Sequence, residues 1–251
     1  MSCSDNQSAY SVFSSDYEHF KAEREKTGMP VRKFSSEAGI SVSSLFYYEN
    51  GTYSLLNLNV NKAIAIFSYF DISIDDFCRK WYPDLYSEVF KTYEMWKMDN
   101  RELSYIKLHN RYKARFAKYH SRKKFDQNTY EFLYNRYVSL FKVLKDKTDD
   151  SGFISQDMYE DCIVPFSYEL SKALEKSVPS SDSAINPVSA HIHDLLLRSD
   201  LLYKDLAAII GVSPWLFKNY HNSEDGYSNI KLESAIKISS VFNTTVYDLF
   251  C

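Results

Sequence analysis

Positive charge is concentrated in one short stretch of the sequence. Residues 101–125 (RELSYIKLHNRYKARFAKYHSRKKF) hold nine Lys/Arg against the single acid Glu102. A net charge of +8 over 25 residues is the chemistry of phosphate contact, because closely set cations neutralise phosphates and release their counterions. Arg111, Lys113, Arg115, Lys118, Arg122, Lys123 and Lys124 are the candidate phosphate-contacting residues. A solvated helix face is the rival reading, and the density of the run favours phosphate. Tyr105, Leu108, Tyr112, Phe116 and Tyr119 interleave with the cations at helical spacing, so these side chains are predicted to pack against neighbouring helices rather than stack on bases.

Other reactive residues do not converge. Cys3, Cys78, Cys162 and Cys251 lie far apart with no Cys-x-x-Cys pair, which predicts reduced thiols rather than a zinc site or a disulfide framework. His191 and His193 have no second Cys or His pair to complete a metal site. No Gly-rich phosphate loop, nucleophile arrangement or informative pair of carboxylates is present, so no catalysis, metal or cofactor is expected. Hydrophobic residues at 45% and charged residues at 25% describe a globular chain. No run approaches the roughly 18 apolar residues of a membrane span, and the first 15 residues are Ser-rich and polar; no membrane partner and a cytoplasmic location are predicted.

The elements that would position such residues show up in a long internal repeat. At a constant offset of 172 positions Gly39 meets Gly211, and without a gap Phe34 meets Leu206, Leu45 meets Phe217, Tyr48 meets Tyr220, Ile66 meets Ile238, Phe70 meets Phe242 and Phe77 meets Leu249. Each copy reads as five short helices. In the first, Tyr17–Lys26 is followed by Gly28, Val31–Ala38 by Gly39, and Ser41 caps a third helix reaching Tyr48. In the second, Ser213 is the matching cap and Pro214 takes the first helical position, where its missing N–H is harmless. A fourth helix is predicted over Val60–Phe70, and Ser73 with Asp76, like Thr245 with Asp248, opens a fifth.

A helix, a tight Gly turn and a Ser-capped helix form the helix-turn-helix pattern. The stretch Phe34-Ser-Ser-Glu-Ala-Gly39-Ile-Ser-Val-Ser-Ser-Leu45-Phe-Tyr-Tyr48-Glu49-Asn50-Gly51 resembles the Cro and phage-repressor (XRE-type) family, and Leu206-Ala-Ala-Ile-Ile-Gly211-Val-Ser resembles it again. The resemblance covers about half the chain and implies an all-α protein in which two five-helix helix-turn-helix domains flank a helical middle domain. It further implies a transcription regulator of the repressor type that reads double-stranded DNA, as a homodimer or as an internal pseudo-dimer with half-sites about one turn (~34 Å) apart. Transferred position by position, the base-facing candidates are Val31, Arg32, Val42, Ser43, Ser44, Phe46 and Tyr47 in copy one. In copy two they are Tyr203, Lys204, Pro214, Trp215, Leu216, Lys218 and Asn219. Both copies depart from the family pattern: neither has its frequent Gln at Val31 or Tyr203, neither third helix carries an Arg, and His221 and Ser223 replace the terminal Glu and Gly in copy two. Only Asn219 offers the bidentate geometry that recognises adenine; Ser43 and Ser44 can bond bases or phosphates, and Val42 or Phe46 suits a thymine methyl. Tyr48, Phe217 and Tyr220 are expected in the core.

Net charge is −3, and neither copy is basic: residues 16–80 carry eight Lys/Arg against nine Asp/Glu, and residues 188–251 carry five against seven. The expected organisation is a tail at 1–15, a first helix-turn-helix domain at 16–80, a helical middle at 81–178, a Ser/Pro linker at 179–189 and a divergent second domain at 190–251. In the middle, Tyr130, Leu133, Tyr134, Tyr137, Phe141 and Leu144 form one stripe, and a helix over Met158–Leu174 is expected to kink or be interrupted at Pro165. The competing reading, drawn from the acidic balance and the apolar pair Trp215 and Leu216, is a module whose second copy binds a protein partner or itself.

Overall fold

In a computed structural model the chain is all-helical, and the structure describes residues 15–177, 186–222 and 226–251. The order is α1 (Asp16–Lys26), α2 (Val31–Glu37), α3 (Val42–Glu49), a 3-10 turn (Leu55–Asn57), α4 (Val60–Phe67) and α5 (Ile74–Trp81). Next come α6 (Pro83–Asn100), α7 (Tyr105–Ser121), α8 (Gln127–Asp146) and α9 (Gln156–Met158), which passes through a π turn (Tyr159–Ile163) into α10 (Val164–Lys176). The last elements are α11 (Pro187–Arg198), α12 (Tyr203–Ile210), α13 (Pro214–Asn222), a second 3-10 turn (Gly226–Asn229), α14 (Leu232–Val241) and α15 (Val246–Phe250). Among the described residues there is no strand and no helix long and apolar enough to cross a membrane. The expected tail and linker fall largely on 1–14 and 178–185, outside the described residues.

Side-chain hydroxyls set the helix starts. Ser41 Oγ accepts from the Ser44 N–H at 3.0 Å, Ser73 Oγ from the Asp76 N–H at 3.0 Å, Ser213 Oγ from the Leu216 N–H at 3.1 Å and Thr245 Oγ1 from the Asp248 N–H at 2.9 Å. Each satisfies a backbone donor that the helix itself leaves unpaired. The second to fifth helices of the two copies begin at residues 31 and 203, 42 and 214, 60 and 232, and 74 and 246, every pair separated by the offset of the sequence repeat. Between the second and third helices Gly39 and Gly211 take φ of 66° and 75°, a left-handed conformation that glycine adopts without strain.

The described residues fall into two compact units. One holds residues up to Tyr93 together with Asn186–His191 and Leu206–Cys251; the other holds Glu94 to Ser177 and Ile192–Asp205. In the first unit the two copies meet. The Val60 N–H donates to the Ile230 carbonyl at 2.8 Å, the Leu232 N–H donates to the Leu58 carbonyl at 2.7 Å, and Asn59 and Lys231 form an isolated antiparallel bridge between them. Under the repeat offset Val60 is equivalent to Leu232, Leu58 to Ile230 and Asn59 to Lys231. The two hydrogen bonds therefore exchange and the bridge maps onto itself, which is the mark of a two-fold axis. Around it α4 packs on α14, α5 on α15, and each 3-10 turn on the fourth helix of the other copy. The symmetry is not exact: the buried Asp75 carboxylate accepts from the N–H groups of Val246 at 2.7 Å and Tyr247 at 3.3 Å, placing a negative charge at the positive end of α15.

The second unit is built on one core, in which Leu108, Tyr112 and Phe116 of α7 pack with Leu133, Tyr137, Phe141 and Leu144 of α8 and Phe166 and Leu170 of α10. The Tyr112 hydroxyl donates to Ser167 Oγ at 3.1 Å, and the Asp200 carboxylate accepts from Ser167 at 3.3 Å and from Tyr159 at 2.7 Å. Burial and this carboxylate together push the Tyr159 phenol pKa well up, so it remains a donor.

Details of the helices differ from the expectation. The fourth helix stops at Phe67 rather than Phe70, because Phe70 leaves the helix to stack on Phe34 at 6.1 Å and edge onto Phe20 at 5.4 Å. Tyr134 is exposed, the apolar stripe of α8 being wider than the face it buries. The expected kink at Pro165 is a π turn, which absorbs the proline's missing N–H within a continuous helical rod.

Candidate nucleic-acid interface

The third helix of copy one is held from behind and open in front. Leu45 and Tyr48 point into the core, and burial raises the Tyr48 phenol pKa, with Tyr53 adding to it. At its C-terminal end Glu49 is tied to Arg24 of α1, Nε donating to Oε1 and Nη2 to Oε2, with both side chains about nine-tenths buried. Gly51 follows at φ 73°, and a Cβ there would come within 2.8 Å of the Tyr17 ring. These contacts fix the rotation of α3 about its axis. The face left over carries Val42, Ser43, Phe46 and Tyr47, all exposed, with Phe46 at 61%. Ser44 is half-buried and its Oγ accepts from Ser41 Oγ at 2.8 Å, so it serves the cap. Tyr53, which the sequence reading passed over, is exposed and packs on Tyr47 at 4.9 Å between ring centres, bracing that ring.

Arg32 is exposed on the first turn of α2. Behind this helix pair, α1 is locked to α5 by Trp81 Nε1 donating to His19 Nδ1 at 3.0 Å, while His19 Nε2 lies 3.3 Å from Glu23. Burial, with the Lys80 charge second, lowers the His19 pKa against the opposing pull of Glu23.

In copy two, α13 buries Phe217 and exposes Trp215, Leu216, Lys218 and Asn219, while Tyr220 is half-buried beside Tyr227. Trp215, at 72% exposure, is the most exposed aromatic ring among the described residues. Lys204 is exposed on α12. Tyr203 is turned instead to His193, its hydroxyl 2.8 Å from Nδ1 and the two rings stacked, and Glu175 holds the other ring nitrogen at 2.6 Å. Among the described residues no group of three or more His, Cys, Asp or Glu is arranged to hold a metal.

In the second unit the basic run folds as α7 and the turn after it. Arg111, Lys113, Lys118, Arg122, Lys123 and Lys124 are exposed; Arg115 is half-buried with its guanidinium 5.3 Å from the Tyr112 ring centre. Two other cations of the run are paired, Arg101 with Glu160 and Lys107 with Glu102, whereas these seven make no ion pair among the described residues. The run ends in a left-handed residue, Lys123 at φ 48°, with the Lys123 N–H donating to His120 and the Lys124 N–H to Tyr119. Lys113 lines a cavity of about 390 Å³ with Tyr105, His109, Lys142 and Lys145. Lys142 and Lys145 extend the positive face onto α8; the short run Lys142-Val-Leu-Lys145-Asp-Lys147 was the sequence signal for them.

No protein-family model matches the chain, and neither a curated protein nor a solved structure does.

Proposed function

We propose that the chain is a sequence-specific DNA-binding regulator of transcription. In this reading both helix sets are phage-repressor-like helix-turn-helix domains, with α3 and α13 laid in the major groove. The carrying observation is the division of labour on α3: Leu45, Tyr48 and Glu49 anchor one side, and Val42, Ser43, Phe46 and Tyr47 are left exposed on the first two turns. Base-reading residues sit there in this class of motif. The cations of α7 and the turn after it that make no ion pair among the described residues supply the phosphate neutralisation that the two copies, with their slight acidic excess, do not.

Selection of random duplex DNA on the purified chain at two salt concentrations tests this. An enriched motif is expected. It should be lost when Ser43 and Ser44 become Glu, and keep its sequence but lose affinity and salt slope when Arg122, Lys123 and Lys124 become Ala. No enrichment at either salt would contradict the reading.

The exposed pair Trp215 and Leu216 favours a second reading, in which α13 contacts a protein or another copy of the chain. Trp215→Asp then abolishes a self-association that salt leaves untouched, and an unchanged sedimentation coefficient would count against it.

A further inference from the structure

Two-fold symmetric readers recognise inverted repeats because a dimer axis relates two identical surfaces. Here the axis lies inside one chain. The surface through which a copy would pair with its twin is already covered by the other copy: Leu58, Val60, Ile230 and Leu232 are each at most 2% exposed, and their facing backbone groups bond each other. Asp75 secures the pairing from one side only, since its equivalent under the offset is Tyr247, one of the residues whose N–H it accepts. Neither third helix takes part, for the reading faces of α3 and α13 are both exposed.

The two faces also differ chemically. The α3 face offers a hydroxyl, Ser43, among apolar and aromatic groups, which suits thymine methyls. Lys218 and Asn219 on α13 are donors matched to guanine and adenine edges in the major groove. We propose, resting on the DNA-binding reading above, that one chain acting alone is the complete reading unit. Its ligand is a duplex with two unlike half-sites in inverted relation, one per copy, rather than the palindrome a homodimer reads. Because the internal pairing fixes the frame, a single spacing between the halves is accepted.

The test uses the full chain and the duplex selected on it. Sedimentation equilibrium should give one chain per duplex, and the motif should be bipartite and asymmetric. Inserting half a helical turn between the halves should weaken binding about tenfold or more, by turning one half away from its helix. Asn219→Ala should relax sequence preference in one half only, and Ser43→Ala in the other only; both positions are exposed, and circular dichroism checks the fold of each variant. A palindromic motif bound by two chains, or both substitutions acting on both halves alike, overturns the inference while leaving DNA binding intact. A selection that yields no motif at all overturns the DNA-binding reading and the inference with it, so the two failures are told apart.

Discussion

Copy one ties its third helix with a buried ion pair, and copy two does not repeat the two residues that form it. The buried Arg24–Glu49 pair that ties α1 to α3 has Leu196 and His221 as its counterparts, and Leu196 is fully buried. The helix starts nevertheless coincide, and so do the apolar positions: Phe34 with Leu206, Leu45 with Phe217, Ile66 with Ile238, Phe77 with Leu249, all buried. The shared frame is therefore set by caps, glycine turns and apolar spacing. The ion pair is a local device that orients α3, consistent with the small net stabilisation buried pairs usually give over apolar ones.

The largest break in that comparison comes from splitting the pair. Glu49→Ala leaves the buried Arg24 with only the exposed Glu25 as partner, 3.3 Å away, and should destabilise the chain by up to about 3–5 kcal/mol in urea unfolding. Exchanging both residues for those of copy two, Arg24→Leu with Glu49→His, should recover most of that loss. A double variant as unstable as the single one would show that the residues of copy two cannot stand in for the pair.

A smaller difference lies in equivalent histidines, His19 buried on α1 and His191 exposed on α11. The His19 pKa is lower folded than its ordinary 6.5, so below that value the unfolded chain binds more protons. Stability should be at its full value above pH 6.5 and fall as pH drops below it toward the folded pKa. Melting temperature against pH should show this slope in the native chain and in His191→Gln, and a flatter one in His19→Gln. A slope unchanged in His19→Gln would remove the burial argument.

The smallest effect is at Lys123, whose left-handed backbone is strained for any residue with a Cβ. Lys123→Gly should stabilise the chain by up to about 1 kcal/mol while lowering the salt slope of DNA binding by about one. A variant that is less stable would show that the lysine stem packs against something worth more than the strain.

Much of this was legible in the sequence because it is local. Ser41, Gly39, Ser213 and Pro214 mark the boundaries of the third helices by their own backbone preferences, and the spacing of Leu108, Tyr112 and Phe116 shows the buried side of α7 without reference to any partner. The contacts that pair the copies were not legible. Asp75 meets α15 across 171 positions of chain, and its own neighbourhood reads as an ordinary acidic first turn. Tyr203 likewise looked like a base-facing residue until Glu175 and His193 took up its surroundings. Which exposed side chains are braced and which are free depends on such distant contacts.

The most direct test of α3 and α13 as two readers on one duplex is affinity cleavage. An iron chelate is attached through Phe46→Cys in one variant and Trp215→Cys in another, with Cys3, Cys162 and Cys251 replaced by serine and the buried Cys78 left in place. On the selected duplex, cleavage from position 46 should fall in one half of the site and cleavage from position 215 in the other. Cleavage at the same nucleotides from both positions, or at none from either, would contradict the account.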